Sequence, residues 1–256
     1  MSDFTRWLEK GRTDGRGAML GLWQSLASPY SAEICAQSGF DWLLFDGEHA
    51  PNTVQTLLAQ LQAVAPYPIH AIARTPDSGA VPIKHYLDIG FRTLLVPMVE
   101  SPGQAEVVVA AARFPPMGTR GVASATSRAS GFGRDARYLT EANDRTGIVV
   151  QIESRKALES VGQIASIDGV DGLFIGPADL AASLGHLGNP RHADVQNAID
   201  MAFASIKAAG KPAGIFALDA NDAQSRMEQG FSFVSIGTDI GLLGNGSRRL
   251  LASLKR

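Results

Sequence analysis

Residues 147–179 read GIVVQIESRKALESVGQIASIDGVDGLFIGPAD. Two apolar runs, 147–154 and 172–179, flank a helix-period segment, and a glycine stands just upstream of the second run. Apolar runs without alternation suit strands buried on both faces, as in parallel sheets. A glycine at that place suits a helix C-cap leading into a short connection to the next strand. The stretch is therefore a β-α-β unit. Its pattern recurs along the chain, with further strand candidates at 18–24, 42–48, 69–74, 93–99, 212–218 and 231–237. Amphipathic segments such as TVQTLLAQLQAVA and GQAEVVVAAARF lie between them, and the same upstream glycine occurs in QSGFDW, AAGKPAGI and EQGFSF. Eight β-then-α units in 256 residues predict an α/β fold, a (β/α)8 TIM barrel. An open doubly wound sheet is the alternative. It is weakened because no strand–GxGxxG–helix stretch occurs, and GHLGN at 185–189 is a lone GxxG.

Residues 113–146 break the rhythm. They are rich in Gly, Ser and Arg, and far longer than usual connections of roughly 2–6 residues. A short helix through DARYLTEAN is expected, the rest forming an irregular cover. Its six arginines, 113, 120, 128, 134, 137 and 145, point to an anionic ligand or a subunit contact. With no domain linker in evidence, residues 1–256 are expected to form one barrel domain.

The formal net charge is −2, so no basic field favours nucleic acid or an anionic membrane. No apolar run approaches the roughly 20 residues of a bilayer span. The N-terminal MSDFTRWLEKGRTDGRG mixes both signs and does not read as a signal peptide. The one cysteine, Cys35, sits at an apolar helical position and reads as buried and structural. A reducing cytoplasm is expected.

Barrel enzymes keep their chemistry at the C-terminal strand ends. There this sequence places Gln24, then Asp46, Glu48 and His49 in DWLLFDGEHAPN, then Arg74, Gln151, Glu153 and Asp179. Glu153 and Asp179 end consecutive strands, so they should be neighbours at the mouth. Two carboxylates without a Cys or His ligand set make a hard site, suited to Mg2+ or Mn2+ rather than structural zinc. Gly176 and Pro177 turn the sixth strand into a helix whose first N–H groups, around Ala178 and Asp179, suit a carboxylate. Arg74 beside a divalent ion suits an oxyanion or enolate oxygen. Each residue also has a plainer reading: Glu153 as a helix-dipole partner, Asp179 as an N-cap, Arg74 as a strand-end partner of Asp46, His49 as a loop histidine. Their coincidence at matching strand ends favours a site. His70, His85, His186 and His192 show no ligand spacing.

The motifs FDWLLFDGEHAPN, LLVPMV, PPMGTRGVASATSRAS, VVQIES and GVDGLFIGPADLAASLGHLGNP resemble the class II metal-dependent hydroxy-ketoacid aldolases. This is the family of 4-hydroxy-2-oxoheptane-1,7-dioate aldolase and 2-keto-3-deoxy-L-rhamnonate aldolase. The likeness runs from about residue 18 to 245. It implies that Glu153 and Asp179 bind a divalent metal (Mg2+, Mn2+ or Co2+) that also chelates pyruvate, and that Arg74 steadies the enolate. It further implies that His49, oriented by Asp88, moves the proton of the aldol hydroxyl. Asp46 and Gln151 would hold metal-bound water and neighbouring side chains, and the assembly would be a hexamer, a trimer of dimers exchanging their last helix.

A Schiff-base route needs a desolvated lysine. None of Lys10, Lys84, Lys156, Lys207, Lys211 and Lys255 ends a strand at the mouth, and neither PLP nor NAD is expected. The aldehyde side is less fixed. Ala123 and the SGFGRDARY stretch depart from the family pattern, and Phe216 stands near the end of strand seven, where an aliphatic residue is common. Two alternatives are a citryl-ester-type lyase, which should show a coenzyme A site, and a non-catalytic 2-oxo-acid-binding barrel, which needs neither His49 nor the metal pair.

Overall fold

The computed structural model describes residues 1–254, so Lys255 lies outside the described residues. Its strands are β1 (Met19–Gln24), β2 (Trp42–Asp46), β3 (His70–Arg74), β4 (Thr93–Val96), β5 (Gly147–Ile152), β6 (Gly172–Ile175), β7 (Ala213–Phe216) and β8 (Phe233–Thr238). Each pairs in parallel with its sequence neighbour, and β8 pairs with β1, closing the barrel. The helices are α1 (Asp3–Thr13), α2 (Pro29–Ala36), α3 (Val54–Val64), α4 (Ala80–Asp88), α5 (Pro102–Ala112), α6 (Tyr138–Arg145), α7 (Arg155–Ser166), α8 (Pro177–Ser183), α9 (Ala193–Ala208), α10 (Ala220–Gln229) and α11 (Asp239–Ala252). The (β/α)8 TIM barrel expected from the sequence is what forms, and the open sheet is excluded by the closure.

All eight expected strands are present, though several stop earlier than the apolar runs suggested. The run 172–179 ends as a strand at Ile175, because Pro177 starts α8. Gly39, Gly169, Gly210 and Gly230, the upstream glycines, have φ of +90°, +89°, +71° and +102°. A residue with a Cβ adopts that left-handed conformation only at a cost.

Successive side chains alternate between the barrel interior and the helix layer. Trp42 and Leu44 point inward to meet Ile72, Leu95, Val149, Phe174 and Phe233, whereas Leu43 and Phe45 pack outward among the helices. Gly21 makes this interior possible: a Cβ there would lie 2.0 Å from the Trp42 ring. α1 closes the base with Phe4, fully buried in the same interior cluster. Cys35 is buried in α2, as expected.

Residues 113–146 form a 3-10 turn (Arg128–Ser130) and α6, a little later than the expected helix, and pack at the base against α4 and α1. α11 is tied down mainly at its start. Asp239 accepts from Ser25 N (2.8 Å), Leu26 N (3.2 Å) and Ser31 Oγ (3.2 Å). Its Ile240, Leu242, Leu243, Leu250 and Leu251 are exposed. Among the described residues no helix is long and apolar enough to cross a membrane.

Candidate active site

The inward parity of Trp42 and Leu44 continues to Asp46, and that of Ile72 to Arg74. Asp46 and Arg74 are register partners on β2 and β3, and their side chains meet as a fork. Arg74 Nε donates to Asp46 Oδ1 and Nη2 to Oδ2, both at 2.8 Å. Both residues are buried, where a bidentate charge-assisted pair is among the stronger protein contacts. Asp46 Oδ1 also accepts from Glu48 N (3.0 Å) and His49 N (3.4 Å), which folds the chain after β2 back over the strand end. The guanidinium lies 4.4 Å over the Trp23 ring. Gly47 permits the turn, since a Cβ there would meet Tyr86 Oη at 2.2 Å and the Arg74 carbonyl at 2.7 Å.

Glu48 is drawn into the site more deeply than the sequence suggested. Its Oε2 stands 2.7 Å from Arg74 Nη1 and 3.7 Å from His49 Nε2. The contact with Arg74 is one of charge, because Oε2 is buried without an aligned hydrogen-bond donor. Burial raises its carboxyl pKa, and the charges of Asp46 and Asp179 add to this against the pull of Arg74 and His49. The signal was present in DGEHAPN, two residues beyond Asp46, but spacing alone could not tell a loop acid from one aimed at the mouth.

Glu153, one residue past β5, is buried. Its Oε1 accepts from Met98 N at 2.8 Å, and Gln151 Nε2 donates to its Oε2. Met98 adopts φ +53°, a strained conformation for a residue with a side chain, and one that clusters at functional sites. Desolvation pushes the Glu153 pKa up to about 7, opposed by the Met98 N–H and reinforced by the charges of Asp179 and Glu48. Asp179 lies exposed in the first turn of α8, next to exposed Ala178. Gly176 precedes that helix, and its own N–H is spent on the Ile152 carbonyl (3.2 Å). A Cβ at 176 would lie 2.7 Å from Glu153 Oε2 and 2.8 Å from Gln151 Nε2.

These groups fit a divalent cation. Asp46, Glu48, Glu153 and Asp179 bring four carboxylates against one guanidinium; burial, with a smaller contribution from the neighbouring acids, raises the proton affinity of Glu48 and Glu153. Gln151 Oε1 is a buried oxygen without a hydrogen-bond partner, Glu48 Oε2 has only its charge contact with Arg74, and only hydrogen at 176 leaves space beside Glu153. An oxygen-only donor set with excess negative charge suits a hard cation.

The proposed dyad of His49 and Asp88 is not formed within one chain. Asp88 ends α4, at the base of the barrel, and Oδ1 accepts from Arg120 Nη2 at 2.6 Å. His49 is exposed at the mouth with Glu48 as its neighbouring carboxylate. The helix after β3 carries its C-terminus back to the foot of β4, so a residue there cannot orient a mouth histidine of the same chain. Ala123 and the SGFGRDARY stretch lie in the segment packed at the base, away from the mouth of this chain. Phe216 does end β7, half-buried, with its ring edge-on to Trp23 at 5.3 Å. Lys84, Lys156 and Lys207 lie in α4, α7 and α9, and Lys211 precedes β7.

The model of the HpcH/HpaI aldolase/citrate lyase family matches residues 19–246. The chain belongs to this family. It is 54% identical over 241 residues to a hydroxypyruvate/pyruvate aldolase of Deinococcus radiodurans, covering 94% of this chain and 87% of that protein. It is 51% identical over 233 residues to a 4-hydroxy-2-oxo-heptane-1,7-dioate aldolase of Salmonella heidelberg, covering 91% and 89%. A crystal structure of an HpcH/HpaI aldolase/citrate lyase family protein from Burkholderia cenocepacia superposes with a TM-score of 0.93 at 40% identity, over 99% of both chains. Membership in the HpcH/HpaI family thus extends over almost every residue of the barrel described above.

Proposed function

We propose that this chain is a carbon-carbon lyase that reversibly cleaves 4-hydroxy-2-oxo acids to pyruvate and an aldehyde. The observation that carries this is the clamped guanidinium of Arg74, set among four carboxylates at the mouth of a barrel whose relatives at 51–54% identity are named aldolases. Glu153 and Asp179 would hold a divalent ion, Mg2+, Mn2+ or Co2+, with Gln151 bracing Glu153. When bound, such an ion supplies Lewis-acid stabilisation of developing enolate charge.

The chain's own residues supply the rest. Its two hydrogen bonds to Asp46 keep Arg74 from swinging away, so its outer nitrogen is prepositioned for the oxygen that gains charge on cleavage. The start of α8, at Gly176, Ala178 and Asp179, borders the place for the pyruvate carboxylate. His49 takes the proton from the C4 hydroxyl, a task suited to imidazole near neutral pH. Trp23 and Phe216 bound the opposite wall, where the aldehyde chain lies. No lysine Schiff base, PLP or NAD enters this scheme.

The working form is a homo-hexamer, a trimer of dimers exchanging α11; the exposed leucines of that helix support this. In such an assembly an Asp88 that orients His49 belongs to a second copy. Each chain acts as one barrel domain, in the cytoplasm.

The deciding experiment measures pyruvate release from 4-hydroxy-2-oxo acids with EDTA and then with Mg2+, Mn2+ or Co2+ restored. Loss with chelator and recovery with metal are expected. Cleavage indifferent to EDTA, or recovery in Glu153→Ala equal to wild type, would overturn the assignment. Absence of cleavage alongside turnover of a citryl thioester would favour the citrate-lyase branch of the family.

A further inference from the structure

At the base of the barrel, under the turn from α4 to β4, is a cavity of about 250 Å³. All the charged side chains in its lining are arginines: Arg92, Arg120, Arg128 and Arg145. Arg120 is buried. Its Nη2 donates to Asp88 Oδ1 and to Tyr138 Oη (2.9 Å), its guanidinium lies 4.5 Å over the Phe114 ring, and its Nε–H has no partner. Arginine keeps its charge, so it cannot escape an unmade bond by losing a proton.

Arg128 gives Nη1 to the Ile89 carbonyl (2.9 Å) and rests over Gly90, where a Cβ would lie 2.6 Å from that nitrogen. Arg92 and Arg145 approach Asp3 at 3.0 and 3.6 Å, and Arg145 meets Glu141 at 3.5 Å. Four guanidinium groups thus face three acids, Asp3, Asp88 and Glu141, and none of those acids lines the cavity. The space is far larger than the roughly 10–15 Å³ that one water needs. We propose that this cavity is a second binding site, for a small multiply charged oxyanion: an inorganic phosphate or a short dicarboxylate. Guanidinium forks match both planar carboxylate and phosphate oxygens.

The test uses the full-length holoenzyme with phosphate, succinate or chloride at matched ionic strength, followed by calorimetry and thermal shift. Saturable binding of phosphate or succinate, absent with chloride, is expected, and the stronger of the two names the source. Arg128→Ala, at a half-buried position, should weaken it at least about tenfold, as should Arg120→Lys, which keeps charge but loses the fork. Arg74→Lys, at the mouth, should leave it unchanged, which separates this site from the proposed active site. Equal responses to chloride, or the same affinity in wild type and Arg128→Ala, would overturn the proposal and leave the arginines as partners of helix carbonyls and acids.

Discussion

Asp46 and Arg74 stand directly opposite each other in the parallel β2–β3 register and share two hydrogen bonds of 2.8 Å inside the barrel mouth. Each fixes the other: the acid keeps the guanidinium from folding away, and the guanidinium makes burial of the acid tolerable. Asp46→Ala should destabilise the protein by about 1–3 kcal/mol, because it leaves two buried N–H groups of Arg74 unpaired while Glu48 still faces the third nitrogen. Denaturant unfolding measures this, and pyruvate release should fall with it. A stable, fully active variant would show that Arg74 needs no clamp.

Glu48 touches both Arg74 and His49. Glu48→Gln keeps the shape and removes the charge. We expect kcat to fall roughly tenfold or more, in the range typical of positioned proton-transfer partners, with an altered pH profile and little change in unfolding midpoint. An unchanged profile would leave Glu48 with no part in proton transfer.

Gly176→Ala places a methyl group against Glu153 Oε2 and Gln151 Nε2. The barrel should still fold, since the clash falls on side chains at its rim. Mn2+ affinity, read by calorimetry, should drop about tenfold, as when a residue supporting a metal ligand is disturbed. Wild-type affinity would place the ion elsewhere.

Phe216→Leu should widen the wall that Phe216 shares with Trp23. A kinetic panel should show raised activity for bulkier aldehydes, by about tenfold as a pocket change of this size allows. The KM for pyruvate should stay put, since Arg74 and Glu153 are untouched. A shift in pyruvate KM alone would place Phe216 on the wrong half of the site.

His70 opens β3 at the base, its ring stacked on Trp7 at 4.5 Å and bonded to Thr93 Oγ1 at 2.8 Å. Burial lowers its pKa from 6.5 to about 4, against the pull of Asp3. The folded state therefore binds fewer protons than the unfolded chain between those values. The stability from neutral His70 is complete above pH 6.5 and is lost as pH falls toward 4, up to about 3 kcal/mol. Urea unfolding at pH 7.5 and 4.5 should show this loss, and His70→Gln should flatten it.

The order of the elements could be read from the chain alone. Eight apolar runs, separated by helix-period segments and punctuated by Gly39, Gly169, Gly210 and Gly230, admit few arrangements other than a closed barrel. The reason is local: left-handed glycines stop the helices, and runs apolar on both faces require cover on both faces. The positions of Asp46, Arg74 and Glu153 at or just past strand ends, and of Asp179 in the helix turn beyond β6, were legible for the same reason. Which strand face points inward was not, because a run such as Trp42–Leu43–Leu44–Phe45 is apolar at every position and carries no alternation. Closure decided that parity, and with it the Asp46–Arg74 fork and the approach of Glu48. It also sent Asp88 to the base to meet Arg120, since a helix reverses the chain's direction across the full height of the barrel. Spacing along a chain sets what neighbours can do; only the closed sheet determines which distant side chains become neighbours.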